Sequence, residues 1–246
     1  KNFVLNNKTI IITGGSGSLG NALTKKIIKI SKPKRLIIFS RDELKQSEMK
    51  KRFPEKKYSF IRYFLGDVRD KSRLLEAFRE VDIVIHAAAL KQVPSGEYNP
   101  LELIKTNIIG AQNVIEACIQ NNIKKVVALS TDKASSPINL YGATKLTSDK
   151  LFVSGNAYSG EHPTRFSVVR YGNVMGSRGS VIPFFNSIKE SGIVTITDKR
   201  MTRFMISLED AVDLVIKAFE DMIGGEIYVK KNTLYENYRY SESNCS

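Results

Sequence analysis

The sequence predicts a doubly wound parallel α/β sheet, in which strands buried on both faces alternate with covering helices. Short β-branched runs that are apolar throughout recur between amphipathic stretches, and polar turns rich in Gly, Pro, Ser and Asp connect them. The predicted strands are Thr9–Thr13, Arg35–Ser40, Phe60–Leu65, Asp82–His86, Lys125–Ser130 and Phe166–Arg170. The predicted helices have apolar residues at three- and four-residue spacing and lie at Ser18–Ile30, Ser72–Glu80, Leu101–Asn121, Leu140–Ser154 and near Leu208–Met222.

Length and charge restrict the function classes. The 246 residues, 42% of them hydrophobic, suffice for one large domain with a sizeable core. An excess of 38 Lys and Arg over 25 Asp and Glu gives a formal charge of +13, which suits polyanionic partners. Because the basic residues are scattered through helical stretches without interleaved aromatic residues, we expect no nucleic-acid partner.

Cysteine usage and hydropathy predict the compartment. Cys118 and Cys245 lack metal-ligand or disulfide spacing, which fits a reducing environment. The apolar runs are short compared with the roughly 18 residues of a membrane span, and no secretory signal is visible. We therefore expect a cytoplasmic protein without a membrane span or a bound metal, assembled as a homo-oligomer.

The first strand leads into a glycine-rich turn that precedes the first helix. Gly14, Gly17 and Gly20 stand at three-residue spacing, which permits a tight turn, backbone approach to a pyrophosphate and close packing of helix on strand. The helix N-terminus adds free N–H groups and a positive dipole end, so Ser18 and Leu19 belong to the predicted site. The pattern predicts dinucleotide binding of the Rossmann type.

The end of the second strand predicts which dinucleotide binds. Ser40, Arg41 and Asp42 lie where such folds discriminate their cofactors, and Arg41 can pair with the 2′-phosphate of NADP and stack on adenine. We therefore expect NADP(H), with NAD left as the alternative because Asp42 is one position away. Lys45 is either a second cation for the phosphate or an ordinary solvated lysine.

Small or acidic residues follow the third and fourth strands. Small residues let a cofactor lie against the strand ends. Ordinary packing would be a sufficient explanation for the residues after the third strand, or for those after the fourth, taken alone. Asp67 can accept hydrogen bonds from the adenine amine. The residues assigned here to the cofactor are Asp67, Val68, Ala87, Ala88 and Ala89.

Two polar groups of residues predict acid–base chemistry. Tyr141 and Lys145 are four residues apart at the start of a helical stretch, so they share one face, and a nearby ammonium favours the tyrosine phenolate. Thr131, Asp132 and Lys133 follow the fifth strand, where parallel sheets place their ligands. These three are either proton donors and acceptors for a substrate or a helix-capping, salt-bridged turn.

The chain resembles the extended short-chain dehydrogenases and, among them, the soluble inverting UDP-N-acetylglucosamine 4,6-dehydratases that begin pseudaminic acid synthesis for flagellin or surface glycosylation. The resemblance extends from the first strand to about residue 231, and the segment Ser130–Leu146 (STDKASSPINLYGATKL) is the most specific part. The other matching segments are Thr13–Gly20, Ala87–Pro100, Ile104–Val114, Arg170–Gly176 and Met201–Phe204.

The resemblance implies a reaction in three stages. NADP+ takes a hydride from sugar C4 while Tyr141 accepts the O4 proton. Lys133 then removes the C5 proton, and Asp132, assisted by Thr131, protonates the leaving C6 hydroxyl. Return of the hydride to C6 and reprotonation of C5 from the opposite face complete an inverting dehydration. Retaining dehydratases carry Asp-Glu where this chain has Asp132-Lys133.

The same resemblance implies a set of residues around the sugar nucleotide. Arg178 is suited to pair with the diphosphate of UDP-N-acetylglucosamine. Lys91 and Val174 also join the cofactor site. The implied substrate-binding residues are Lys91, Leu129, Ser130, Asn173, Arg178, Val181 and Thr195.

We divide the chain into an NADP-binding domain at 1–170, a substrate-binding region at 171–231 interleaved with the last Rossmann elements, and an aberrant tail at 232–246. The resembled family continues after Lys231 with a Lys-Ile-Pro-Ser-Met-type sequence. Codons for Asn232–Cys245 can be chosen so that removal of one nucleotide restores such a continuation. We therefore expect a frameshifted tail and a truncated substrate-binding region, which sequencing of the gene tests.

Two other functions stay open on the sequence. A sugar-nucleotide 4-epimerase uses Tyr141 and Lys145 but has no need for Asp132 and Lys133. A truncated NADP-binding protein binds the cofactor without turnover.

Overall fold

The predicted parallel sheet is present in a computed structural model of the chain, which describes residues 4–175 and 202–230 and the backbone of 234–236. Seven parallel strands form the main sheet in the order β3-β2-β1-β4-β5-β6-β9. They are β1 Thr9–Thr13, β2 Arg35–Ser40, β3 Ile61–Leu65, β4 Ile83–His86, β5 Lys125–Thr131, β6 Arg165–Tyr171 and β9 Ile227–Val229. This order is the one expected of a doubly wound fold.

A smaller sheet accompanies the main one. Its strands are β7 Asn173–Val174, β8 Thr202–Ile206 and β10 Leu234–Glu236, in the order β10-β8-β7. β8 pairs parallel with β7 and antiparallel with β10. The rest of the predicted tail, and most of the stretch between β7 and β8, lie outside the described residues.

Helices cover both faces of the main sheet. They are α1 Ser18–Ile30, α2 Glu43–Arg52, α3 Lys71–Ala77, α4 Val93–Tyr98, α5 Pro100–Leu103, α6 Gly110–Gln120, α7 Leu140–Tyr158 and α8 Leu208–Asp221. A π-helical turn, Ile104–Ile109, joins α5 to α6, and a 3₁₀ turn, Asp132–Ala134, follows β5. None of the helices that the structure describes is long and apolar enough to cross a membrane.

Side-chain caps define where several helices begin. The Asp42 carboxylate accepts from the Lys45 N–H at the start of α2, and the Asn139 side chain accepts from the Gly142 N–H at the start of α7. Ser207 caps α8 in the same way. Such caps satisfy N–H groups that the helix itself leaves free.

The core lies on both faces of the sheet. Along β1, Ile10 and Ile12 pack on one face and Ile11 packs on the other, and all three are fully buried. This burial explains why the strand is apolar throughout, as the sequence interpretation expected. Phe152 of α7 packs between His86 and Phe166 on the second face.

The observed elements differ from the predicted ones in several places. α2 was not predicted, because its sequence is polar and buries mainly Gln46 and Met49. The helix predicted at Leu101–Asn121 is divided among α5, the π-helical turn and α6. The helix predicted to end at Ser154 continues to Tyr158, and the one predicted at Ser72–Glu80 ends at Ala77.

The last described elements rejoin the first. Val212, Val215 and Phe219 of α8 belong to the same core cluster as Ile10 and Ile12, and β9 extends the main sheet beside β6. Residues after 170 therefore contribute to the layers of the main sheet. The boundary between a cofactor domain and a substrate-binding region stays a prediction.

Candidate active site

A cavity of about 690 Å³ runs along the carboxyl ends of the parallel strands. All the residues predicted to bind the cofactor line it: Gly14, Gly17, Ser18, Leu19, Gly20, Ser40, Arg41, Asp42, Lys45, Asp67, Val68, Ala87, Ala88, Ala89, Lys91, Tyr141, Lys145 and Val174. Thr131, Lys133, Leu129, Ser130 and Asn173 line it as well. The parallel strands thus bring these residues to one place, as expected for this architecture.

The glycine turn is shaped by close backbone contacts. Gly14 has a φ of +68°, and a Cβ there would lie 2.8 Å from the Ala88 nitrogen and Cα. A Cβ at Gly20 would lie 2.2 Å from the Gly15 carbonyl oxygen. At Gly17 the nearest contact is the Gly14 oxygen at 3.3 Å. The fold therefore requires Gly14 and Gly20, whereas a Cβ at Gly17 would meet a single tight contact, with the Gly14 oxygen.

Buried hydroxyl groups hold the ends of β1 and β2 together. The Oγ atoms of Ser16 and Ser40 are 2.7 Å apart, and Ser40 Oγ accepts from the Asp42 N–H at 3.2 Å. The Lys45 ammonium lies 2.6 Å from Asp42 Oδ2. Lys45 is thus paired with a carboxylate at the cavity edge, and its role toward a phosphate stays a prediction.

Arg41 lies beside an acidic residue, Asp67, and both residues line the cavity. Its Nη1 is 3.4 Å from Asp67 Oδ2, and the same oxygen accepts from Arg69 Nη2 at 2.8 Å. Partial burial raises the pKa of Asp67, but hydrogen bonds from Arg69 and the charges of Arg69 and Arg41 bring it below its ordinary value. Asp67 is therefore ionised and already bonded to Arg69 at the position predicted for the adenine amine. Arg41 is half exposed and its long ion pair is weak, so its guanidinium can turn toward a ligand.

The end of β4 rests on a buried histidine. His86 Nδ1 lies 2.8 Å from Thr13 Oγ1 and is almost completely enclosed. Burial, together with the positive charge of Lys145, lowers the pKa of His86 to about 3. His86 is therefore neutral and fastens β4 to β1 at the point where Ala87–Ala89 begin to line the cavity.

The π-helical turn fixes the next stretch of the cavity wall. Asn107 accepts from the Leu90 N–H and donates to the Leu90 carbonyl, both at 2.9 Å, and it also donates to Thr144 Oγ1 at 3.1 Å. π-helical turns of this kind occur often at functional sites. Asn107 thereby ties the residue before Lys91 to the helix that carries Tyr141 and Lys145.

Tyr141 and Lys145 lie one turn apart on α7, and both line the cavity. The Lys145 ammonium donates to the Leu129 carbonyl at 2.7 Å, and only 3% of the residue is exposed. Burial lowers the pKa of Lys145, while the charge of Asp149 opposes this effect. The lysine is thus held against the last residues of β5.

The acidity of Tyr141 differs from the sequence expectation. Burial raises its pKa to about 12, and the interaction with Thr131 offsets this only in part, while the charges of Asp132 and Asp149 add to the increase. The expected lowering by Lys145 does not appear among these effects. In this structure the neutral phenol of Tyr141 is favoured, because the site is enclosed and carries carboxylates.

The triplet Thr131, Asp132 and Lys133, which follows β5, forms a bonded cluster beside this tyrosine. Thr131 Oγ1 donates to Asp132 Oδ1 at 3.0 Å, and the Lys133 ammonium lies 3.3 Å from the same oxygen. Lys133 also donates to Asn173 Oδ1 at 2.8 Å. Among the described residues Asp132 does not line the cavity itself, so it reaches the cavity through Thr131 and Lys133.

Lys91 and Lys133 both line the cavity. Desolvation and the positive charge of Lys133 lower the pKa of Lys91, although much of the side chain is open to the cavity. Two cations facing one enclosed space suit an anionic or polar ligand.

Other predictions lie partly or wholly outside this description. Arg178, Val181 and Thr195 fall outside the described residues. The Ser130 hydroxyl, predicted to contact substrate, donates to Asp149 Oδ2 at 2.8 Å. Metal-ligand clusters of three or more His, Cys, Asp or Glu are absent from residues 4–175 and 202–230.

Sequence reasoning missed several residues of the site. Tyr171 lines the cavity, and burial, together with Tyr141, raises its pKa. It directly follows the predicted sixth strand, so its position at a strand end was an available signal. Asp149 and Asn107 gave no such signal, because each lies within a helical pattern. The other lining residues not predicted include Ser16, Phe39, Gly66, Leu90, Gln92 and Thr106.

Sequence comparisons relate this chain to sugar-nucleotide enzymes. A family model described as polysaccharide biosynthesis protein matches residues 10–236. A UDP-N-acetylglucosamine 4,6-dehydratase (inverting) of Campylobacter jejuni is 60% identical over 230 residues, 93% of this chain and 68% of that protein. A UDP-glucose 4-epimerase of Rickettsia akari is 48% identical over 229 residues, 92% of this chain and 66% of that protein. The chain spans about two thirds of the length of these curated relatives.

Solved structures share the fold. The protein Pen from Bacillus thuringiensis has a TM-score of 0.94 at 43% identity, covering 98% of this chain and 76% of that one. DesIV of Streptomyces venezuelae, a dTDP-glucose 4,6-dehydratase solved with NAD and TYD, has a TM-score of 0.83 at 20% identity over 96% of this chain and 80% of that one. The second likeness shows the fold alone.

Substitutions in the glycine turn should separate folding from ligand binding. Gly20→Ala should lower the free energy of unfolding by about 1–3 kcal/mol, because the added Cβ collides with the Gly15 backbone. Gly17→Ala should cost less, about 1 kcal/mol, because its Cβ meets only the Gly14 oxygen at 3.3 Å and Ala is a poorer N-cap than Gly. It should also weaken dinucleotide binding, because Gly17 lines the cavity. Chemical denaturation and dinucleotide titration of both variants measure this. Equal destabilisation by the two substitutions would contradict the assignment.

Proposed function

Because the chain belongs to the family described as polysaccharide biosynthesis protein, we propose that it is an NADP-dependent UDP-N-acetylglucosamine 4,6-dehydratase that inverts sugar C5. The product is the 4-keto-6-deoxy-L-arabino sugar nucleotide, the first intermediate of pseudaminic acid synthesis for flagellin or surface glycosylation. One observation carries the proposal: Tyr141, Lys145 and Lys133 line one cavity, with Lys133 held by Asn173. The name of the 60% identical relative supports the same reaction. The proposed setting is a homo-oligomer in the cytoplasm.

The glycine turn supports a dinucleotide in one half of the cavity. The absence of a side chain at Gly17, which lines the cavity, and the N-terminus of α1 suit a pyrophosphate, and the small residues after β4 leave room for the flat rings. Arg41 is assigned to the 2′-phosphate and Lys145 to the nicotinamide ribose. When bound, the dinucleotide accepts a hydride from sugar C4 and returns it to C6.

Tyr141 is assigned the O4 proton of the sugar. Its enclosed position favours the neutral phenol, so deprotonation requires positive charge close to the ring. We assign this charge to Lys145 on the same face of α7, whose ammonium donates to the Leu129 carbonyl in this structure and has to approach the phenol for the transfer. The two residues therefore act as a pair, in which the lysine stabilises the phenolate during proton transfer.

The triplet after β5 is assigned the elimination of water. Removal of the C4 hydride makes a ketone, which acidifies the C5 proton that Lys133 accepts. Transfer of a proton from the Lys133 ammonium to Asp132 Oδ1, 3.3 Å away, leaves Lys133 neutral to accept the C5 proton and leaves Asp132 protonated. Asp132 then gives this proton to the departing C6 hydroxyl, and Thr131, which lies 3.0 Å from Asp132 Oδ1, orients it. The short links among these three side chains suit a coordinated transfer of two protons.

The stereochemical outcome is assigned to Lys133. C5 is planar after elimination, so its final configuration depends on the face that receives the new proton. In the retaining dehydratases a glutamate stands at this position. A lysine here, fixed by Asn173, supports inversion.

A 4-epimerase is the second candidate, and the 48% identical relative named UDP-glucose 4-epimerase favours it. That reaction needs Tyr141 and Lys145 but leaves Asp132 and Lys133 without a task. A third possibility is a chain that binds NADP without turnover.

Product analysis in deuterated water distinguishes these functions. With UDP-N-acetylglucosamine, the dehydratase should yield a product that has lost one water and carries one deuterium at C5 in the L-arabino configuration. Mass spectrometry and proton NMR of the first-formed product measure both features. An unchanged skeleton with inverted C4 would indicate the epimerase, a D-xylo ketone would indicate a retaining dehydratase, and cofactor binding without product would indicate the silent protein.

Lys133→Met should stop elimination while sparing the first hydride transfer, because the base for C5 is lost and Tyr141 remains. The dehydratase kcat should fall by about 100-fold or more, as expected when a general base is removed. A single-turnover experiment should still show the absorbance of reduced cofactor. Lys124→Met, at the opposite end of β5, is the matched control. Full turnover by the Lys133 variant would refute its role.

Arg41→Ala should weaken NADP binding by about 10- to 100-fold, the equivalent of one charge-assisted contact to phosphate. NAD affinity should change little, since NAD lacks the 2′-phosphate. Titrations of both dinucleotides measure the effect, with Arg35→Ala at the start of the same strand as control. An unchanged preference for NADP in the Arg41 variant would reject the assignment.

A further inference from the structure

A buried carboxylate links the three elements that carry the proposed catalytic residues. Asp149 lies on α7 one turn after Lys145 and two turns after Tyr141, so the three side chains share a helix face. Only 1% of Asp149 is exposed. It is thus enclosed directly behind the pair that faces the cavity.

Asp149 bonds to the ends of two neighbouring strands. Its Oδ2 accepts from Ser130 Oγ at 2.8 Å and from Arg170 Nε at 2.7 Å. Ser130 and Arg170 are direct partners in the register of β5 and β6. One oxygen therefore joins α7 to both strands at the same level of the sheet.

Most of the residues that follow these two contacts line the same cavity as Tyr141 and Lys145. Thr131–Lys133 come directly after Ser130 on the chain, and Tyr171–Asn173 come directly after Arg170. Lys133 and Asn173, one from each segment, are bonded to each other at 2.8 Å. A displacement of either strand end would therefore move Lys133 relative to Tyr141.

Stability alone is a poor explanation for this arrangement. Burying a carboxylate is costly, and a buried ion pair often contributes no more to stability than apolar residues of similar volume. Such pairs are more readily understood where they fix one arrangement of neighbouring groups. Here the Arg170 side chain is 18% exposed and that of Asp149 is 2% exposed.

We propose that Asp149 is a positioning residue for the reaction, whose buried carboxylate fastens the catalytic face of α7 to the ends of β5 and β6. This inference rests on the proposed function for its catalytic consequence. The carboxylate sets the spacing between Tyr141 and Lys145 on α7 and the bonded pair Lys133 and Asn173, which follow the ends of β5 and β6.

The charge of Asp149 also acts on the pair that it positions. Charged and titratable groups around Tyr141 and Lys145 come from every neighbouring element: His86 on β4, Asp132 and Lys133 after β5, Asp149 on α7, and Arg170 and Tyr171 on β6. Within this group Asp149 raises the pKa of Tyr141 and that of Lys145. Loss of its charge should therefore lower both pKa values.

Asp149→Asn tests the proposal, because it keeps the shape and removes the charge. Its kcat should fall by about 10-fold with KM changed less than about 2-fold, as for an interaction made mainly in the transition state. Both limbs of the pH profile of kcat should move to lower pH by about one unit. The control is Asp82→Asn, which should keep the parent profile. It removes a carboxylate that accepts from the Thr9 N–H at the amino end of β1, opposite to the cavity end of the strands.

A double variant separates positioning from folding. Asp149→Asn/Arg170→Gln removes both buried charges, so the arginine is not left unpaired, and it should fold while keeping the lower kcat and the shifted profile. A parental kcat and pH profile in both folded variants would overturn the inference and leave the dehydratase proposal intact.

Amide hydrogen exchange decides the inference even if the parent chain does not turn over UDP-N-acetylglucosamine, which would refute the proposed function. In Asp149→Asn, exchange should rise at Ser130–Lys133 and Tyr171–Asn173 relative to the parent and to Asp82→Asn. Unchanged exchange at these two segments would overturn the positioning role.

Discussion

Parallel pairing of the strands is the constraint on which the rest of the site depends. Because β1, β4, β5 and β6 all run in one direction, the residues that follow them meet at the carboxyl ends of the strands. The register places Thr13 beside His86, and Thr131 beside Tyr171. The glycine turn, the small residues after β4 and the polar triplet after β5 are distant in sequence, yet they form one cavity.

Buried polar groups fix these strand ends at several points. His86 with Thr13, Ser16 with Ser40, and Asn107 with the Leu90 backbone each join the end of one element to its neighbour. A buried polar group is tolerated only when it is bonded, so each of these pairs permits few alternative arrangements. The cavity wall is therefore set mainly by hydrogen bonds at strand ends, while the apolar core sets the spacing of the layers.

The sequence was sufficient for six of the seven strands of the main sheet and for much of the cavity, because residues at the ends of doubly buried strands have a recognisable pattern. It was insufficient for α2, whose surface is almost entirely polar, and for the short strands β7 and β9, whose residues are partly exposed. Asp149 was missed for a physical reason: one acidic residue in a helical pattern looks like a solvated one. Its burial depends on Ser130 and Arg170, which only the tertiary structure brings to it. The same enclosure explains why the expected low pKa of Tyr141 was wrong for this structure.

The two halves of the cavity are built by different means. The half proposed for the dinucleotide relies on backbone, where Gly14 and Gly20 permit contacts that any side chain would prevent. The half proposed for the sugar relies on charged side chains, Lys91 and Lys133, of which Lys133 is held by the Asn173 side chain. Backbone contacts tolerate little change, whereas a side-chain network can be altered one member at a time. A family with this fold can therefore retain its cofactor site and vary its chemistry through the residues after β5 and β6, which in this chain include Lys133 and Asn173.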